Sequence, residues 1–244
     1  MQLLTPCPAL PLPLPLPPIL SVALDEEDDD FMGVDSLQAI GVHATDIAKL
    51  RGAGLCTVGQ VLATPTKALL AIKGISDAKV EKVMEAARKL KNVGFVSGVQ
   101  ALRAQRTRQR ISTGCKALDA VLGGGVETGA VTELFGEFRT GKTQILATLC
   151  VNAQLDKASG GAAGKVIVID TENAFRVERI AQIAEARYGL DPAAVLDNVT
   201  IARALTHEHQ AEMVIAAAAL ITGSGERYKL LVLDSIIGLF RTGE

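Results

Sequence analysis

The chain has no tryptophan, and its six phenylalanines and two tyrosines bring aromatics to only 3% of 244 residues. That scarcity argues against an RNA or single-strand reader built on a platform of stacked rings. Cysteine is equally sparse. Cys7, Cys56, Cys115 and Cys150 are scattered with no CxxC pair, which excludes a disulfide framework and a thiolate zinc site and points to a reducing compartment. A run able to cross a membrane is missing too. Residues 1–24 carry no charge, yet seven of the nine prolines crowd into residues 6–18, a density that blocks a spanning helix. The basic start of a signal peptide is also absent. This stretch reads as an extended proline-rich tail, either a ligand for a proline-binding domain or a disordered extension.

What is present is unevenly distributed. Six of the 27 acidic residues fill positions 25–30, and none of the 25 lysines and arginines lies before residue 31. A mildly basic body thus follows an acidic tract. With 48% hydrophobic and 21% charged residues, that body can bury a core.

From Phe31 to about residue 92 the pattern is helical and punctuated by glycines, with helix-period runs at 35–40, 44–51, 58–63, 66–72 and 77–91. In the last run Val80, Val83, Met84, Ala87 and Leu90 recur at three- and four-residue spacing, and Ser76 and Asp77 stand where an N-cap belongs. The turn around Lys73-Gly74-Ile75-Ser76 joins two of these runs as in a helix-hairpin-helix. Such a turn offers backbone N–H groups and a helix N-terminus to a DNA phosphate without reading sequence; the alternative is a plain interhelical turn. Residues 93–112 read as a linker. Its run of Arg103, Arg106, Arg108 and Arg110 without an intervening acid is either a solvated helix face or a phosphate-facing strip.

Beyond residue 113 strands alternate with helices. Strands are expected at 131–135, 166–170, 199–202 and 230–234, and helices at 142–155, 177–188 and 208–222. This is the signature of an α/β fold with a mainly parallel sheet. Gly136-Glu137-Phe138-Arg139-Thr140-Gly141-Lys142-Thr143 fits GxxxxGK[ST] between an apolar run and a helix. Backbone amides of such a loop wrap phosphates, Lys142 reaches the β- and γ-phosphates, and the Thr143 hydroxyl binds Mg2+. The apolar run 230–233 ends in Asp234, which suits a partner for that Mg2+ through water. Another strand ends in Asp170-Thr171-Glu172. Glu172 is a candidate for activating water, the alternative being that Asp170 or Glu172 caps the following helix. His207 and His209 are two apart on a helix and do not share a face, so they make no zinc pair.

At these residues a resemblance becomes plain. GEFRTGKTQ (136–144), DTENAFRVERI (170–180), ISTGCKALDAVLGGGVETGAVTE (111–133) and LLVLDSIIGLFR (230–241) look like the eukaryotic RecA-type strand-exchange recombinases. GVHATDIAKLRGAGLCTV and AIKGISDAKVEKVMEAARKL resemble the N-terminal helical domain of that family. DTEN, LCVNAQL and DSIIGLFR are closer to its meiosis-specific branch than to its general repair branch.

The resemblance implies a nuclear, ATP- and Mg2+-dependent enzyme that forms rings or filaments on single- and double-stranded DNA, meets related recombinases, and has no membrane role. It assigns residues 136–144 to the nucleotide, including Gln144, with Glu172 and Lys142 as catalytic groups and Thr143 and Asp234 at the metal. Arg179 packs against the adenine in this reading. Phe95-Val96-Ser97-Gly98 matches the family's Phe-x-x-Ala segment, with Gly98 in place of Ala. Phe95 would insert into the next subunit, against a pocket built from 199–202 and 211–219. The implied organisation is a tail (1–30), a helix-hairpin-helix domain (31–92), a linker (93–112) and the front of a RecA-like P-loop ATPase core (113–244). In the family that core continues well past the Asp234 strand, with DNA-binding loops, a γ-phosphate sensor and the last strands. An incomplete core and an exposed sheet edge are therefore expected here. The competing reading is a short, non-catalytic regulator that joins recombinase filaments through Phe95. A kinase or GTPase is disfavoured, because no NKxD occurs.

Overall fold

A computed structural model describes residues 32–91 and 93–241. The proline-rich tail and the acidic tract lie outside the described residues. The chain opens with a 3-10 turn at Val34–Ile40, where an α-helix was expected, followed by helices α1 (Ala44–Gly52), α2 (Val58–Ala63), α3 (Thr66–Leu70) and α4 (Asp77–Leu90). None is long enough to stand alone in water. They are held by a shared apolar cluster of Val34, Leu37, Leu50, Val58, Leu69 and Val83. In α4 the buried stripe is Val80, Val83, Ala86 and Ala87, which follows the expected spacing. Ser76 occupies the N-cap of α4 but makes no side-chain cap bond. The effective cap belongs to α2, where Thr57 and Gln60 form a reciprocal capping box. Buried Asp46 on α1 accepts from Lys79 of α4 at 2.7 Å and from Lys49 at 3.3 Å. The Lys79 bond foremost holds its carboxyl below the usual range.

The expected linker is not irregular throughout. Residues Gly98–Thr107 form helix α5, started by a Ser97–Gln100 capping box. Arg103 and Arg106 on it are exposed, as a solvated helix face requires. Arg108 and Arg110 instead pair with Glu127. That pairing staples two short strands, β1 (Arg110–Ile111) and antiparallel β2 (Val126–Glu127), across helix α6 (Lys116–Val121).

The α/β expectation holds from helix α7 (Lys142–Asn152) onward. Strand β3 (Lys165–Asp170) is followed by helices α8 (Val177–Tyr188) and α9 (Pro192–Asp197), strand β4 (Val199–Arg203), helix α10 (His207–Gly223) and strand β5 (Tyr228–Asp234). The sheet order is β4-β3-β5, all parallel. Central β3 is buried along nearly its whole length, which explains its unbroken Val-Ile-Val-Ile sequence. Val166 and Val168 pack with Cys150, Val151, Ile180 and Ala184. Burial there pushes the Cys150 thiol up to about 12, so it behaves as a small apolar side chain. The register places Asp170 beside Asp234 and Arg203. Because the strands are parallel, their carboxyl ends share one edge of the sheet.

One expected strand does not form. Residues 131–135 have the apolar character of a strand but no ladder, and Val131 and Phe135 are 98% and 89% exposed. A strand needs a partner for its backbone groups. The sheet among the described residues holds only β4, β3 and β5, and β5 pairs on one side alone. Helix α7 likewise stops at Asn152 rather than 155, because the chain turns back over its end: Ala162 and Gly164 N–H both donate to the Ala153 carbonyl.

Candidate functional site

The Gly136–Thr143 loop lies at the N-terminus of α7, where the helix's own N–H groups lack partners and carry partial positive charge. Gly141, the N-cap, has φ 93°, a left-handed turn that aims the chain into the helix. Arg139 adopts φ 64° without that freedom. Thr140 donates its hydroxyl to the Glu137 carbonyl at 2.8 Å. The Lys142 ammonium lies across the loop, donating to the carbonyls of Gly136 (2.8 Å) and Glu137 (2.7 Å). Backbone and cation are thus gathered at one point, with Phe138 exposed beside them.

The acids come from the sheet. Thr143 donates its hydroxyl to Asp234 Oδ2 at 2.9 Å, joining residues 91 apart in sequence. Burial pushes the Asp234 carboxyl above its ordinary value; the Thr143 bond opposes this, and the charges of Glu172 and Asp170 add to it. Asp170, one strand over, is buried and takes a structural part. Its carboxylate accepts the N–H groups of Glu172, Ala174 and Phe175, so it folds the loop after β3. Neither it nor Glu172 caps α8, whose N-cap is Arg176. Glu172 is exposed at the sheet edge and accepts the Ser235 hydroxyl at 2.7 Å.

Gln144 and Arg179, far apart in sequence, meet: Arg179 Nε donates to Gln144 Oε1 at 2.7 Å. With Ala147, Phe175 and Arg176 they line a cleft between α7 and the start of α8. Sequence reasoning missed Phe175 in this wall, and it missed Thr171, Ser235 and Gln210, whose bonds converge behind Glu172. For Thr171 and Ser235 the readable signal was position, since each directly follows the carboxyl end of a parallel strand. Phe95 is fully exposed, with Val96 and Val99 also open. On the helical side, Gly74 has φ 85° and its carbonyl accepts Lys49 at 2.9 Å, while Lys73 and Ser76 face solvent. His207 pairs with Glu208 and stacks near Phe240. No described helix is long and apolar enough to cross a membrane.

The Rad51 family model matches residues 104–243, which include the loop, both acidic strand ends and Arg179. The chain belongs to the Rad51 family. Among curated proteins it is 50% identical over 218 residues to a meiotic recombination protein DMC1 homolog of Glycine max, covering 89% of this chain and 62% of that protein. It is 48% identical over 217 residues to the DMC1/LIM15 homolog of Homo sapiens, covering 89% and 64%. DNA repair protein RAD51 homolog 1 of Arabidopsis thaliana is 49% identical over 226 residues, covering 90% and 65%. The chain therefore spans less than two thirds of the length of these Rad51-family relatives. Its fold is that of a RecA-like mixed α/β domain with a parallel sheet.

Proposed function

We propose that this chain carries the nucleotide-handling part of an ATP-dependent DNA recombinase, one that pairs and exchanges homologous strands in meiotic recombination and double-strand break repair in the nucleus. The observation that carries the reading is the Thr143–Asp234 hydrogen bond beside the Lys142 loop, because it unites a phosphate cradle with a hard-oxygen donor pair. A carboxylate and a hydroxyl suit Mg2+, and loop amides with an ammonium suit a triphosphate, so these residues fit both groups. In this reading Gly136–Thr143 hold the phosphates, Thr143 and Asp234 face the metal, and the Gln144–Arg179 cleft receives the base. Glu172 orients water, and Mg2+, when bound, neutralises charge on the phosphates.

The remaining assignments follow the same reading. Residues 31–92 form the helix-hairpin-helix domain and use Lys73, Gly74 and Ser76 towards DNA backbone. Residues 93–112 carry the Phe95 anchor, and 113–244 carry the ATPase part. Self-association then depends on Phe95: Phe95→Glu is expected to leave a folded protein that sediments as a smaller species, because an unpaired charge resists entry to an apolar pocket. Unchanged oligomers would remove Phe95 from the interface.

The function is tested by measuring ATP hydrolysis with and without single-stranded DNA. Hydrolysis above background is the expected result, with stimulation by DNA expected only where the family's DNA-binding loops complete the core. The full exposure of Phe95 favours a second reading, a regulator that joins recombinase filaments. That reading is preferred if the chain binds ATP and enters oligomers of a longer relative while hydrolysis stays at background with DNA.

A further inference from the structure

Behind Glu172 the ends of β3 and β5 are tied together more tightly than the ladder requires. The Thr171 N–H extends the β3–β5 pairing to the Asp234 carbonyl at 2.9 Å. Its hydroxyl then accepts the Ser235 N–H at 2.7 Å and donates to the Ser235 carbonyl at 2.8 Å. A hydroxyl has one proton to give, and Thr171, which is buried, spends it here. The Ser235 backbone is thereby pinned on both polar groups. Its own hydroxyl donates to Glu172 Oε1 at 2.7 Å. One residue on, buried Gln210 of α10 donates to the Ile236 carbonyl at 3.0 Å. Gly238 closes over the group: a Cβ there would lie 2.8 Å from Ser235 Oγ and 3.4 Å from Glu172 Oε1.

We infer that Thr171 and Ser235 form a clamp that positions the Glu172 carboxylate and so sets the rate of turnover rather than nucleotide affinity. The inference rests on the reading of Glu172 as the group that orients water. Glutamate on an exposed loop has three side-chain torsions to fix, and their freedom costs free energy whenever the group must act from one place. The clamp anchors one carboxylate oxygen to a backbone that is itself immobilised. Glu172 as a residue stays exposed, and a misplacement of about 1 Å in such a group costs on the order of a hundredfold in rate. A simple strand-end cap would need the Thr171 bonds but not the Ser235-to-Glu172 bond.

Three substitutions separate these roles. Ser235→Ala removes only the link to Glu172, Thr171→Val removes the anchor at equal size, and Thr171→Ser retains it. The carboxyl carbon of Glu172 is followed by NMR in 13C-glutamate-labelled protein and assigned through Glu172→Gln. Affinity for a fluorescent ATP analogue with Mg2+ and the rate of ATP turnover are measured beside it. Ser235→Ala and Thr171→Val are expected to shift the Glu172 signal and lower kcat about tenfold or more, with analogue affinity within about twofold of wild type. Thr171→Ser is expected to restore both. An unmoved Glu172 signal in Ser235→Ala overturns the clamp, as does a raised KM at unchanged kcat. If Glu172→Gln turns over like wild type, the role of Glu172 in hydrolysis fails instead. If wild type shows no turnover, the claim that the clamp sets its rate is overturned, and the Glu172 signal decides only whether Thr171 and Ser235 position the carboxylate.

Discussion

Lys142→Ala is expected to weaken binding of Mg2+ and ATP by about 10- to 100-fold, the loss of a charge-assisted bond of about 1.5–3 kcal/mol, and to reduce turnover by about 100-fold or more. The fold should be untouched. Among the described residues the Lys142 side chain donates to carbonyls of its own loop, so no buried partner there is stranded. A thermal melt like that of wild type, together with lost binding of a fluorescent ATP analogue, would be the supporting pair of results. Arginine should not substitute, since its planar fork cannot place a compact charge within a loop only six residues wide. Binding and turnover near wild type in Lys142→Ala would remove the loop from the nucleotide site.

Gly161→Ala should be the most damaging single methyl in the α/β region. A Cβ at this position would stand 2.0 Å from the Leu155 carbonyl oxygen and 2.5 Å from that of Asn152. Neither oxygen can retreat easily, because the same turn is held by Ala163 donating to Leu155 at 2.8 Å and Gly164 donating to Ala153 at 3.0 Å. The turn leads directly into central β3, so its displacement would be passed to the core. A loss of about 2–4 kcal/mol is expected, read as a fall of about 5–15 °C in Tm. Gly52→Ala is the control: no atom lies within 4 Å of its Cβ, and its Tm should stay within about 2 °C. Equal melting of the two variants would show that the turn opens at little cost.

Features written within one short stretch of chain were legible before any coordinates. The GxxxxGKT loop, the helix after it, the stripe of α4 and the apolar strands ending in acid all depend on local spacing and took the expected form, save that α7 ends at Asn152 and residues 131–135 make no strand. The pairing of Thr143 with Asp234 was readable because parallel strands deliver their carboxyl ends to one edge. Residues 131–135 show the limit: apolar content proposes a strand, but only a neighbouring strand makes one. The 3-10 turn at Val34–Ile40, with Gly41 closing it in a left-handed conformation, was read as an α-helix because seven residues carry too few periods to separate the two. Thr171, Ser235 and Gln210 were missed for a different reason. Thr171 and Ser235 are marked only by their place after a strand-end acid, and their importance lies in the partners 63 and 64 residues away that the register brings opposite them, while Gln210, on α10, reaches Ile236 from 26 residues away.

That register also decides where the chain can change length. Asp170 and Asp234 stand side by side only while β3 and β5 pair as they do, and side chains alternate faces at every residue. Losing or gaining one residue within the regular part of the ladder, 166–170 or 230–234, would turn the affected strand's side chains over and send its acid to the wrong face. The same change in the exposed turn at 224–226 falls at the opposite end of the sheet, where it can be absorbed as slack in a loop. Natural insertions and engineered tags therefore belong at that end.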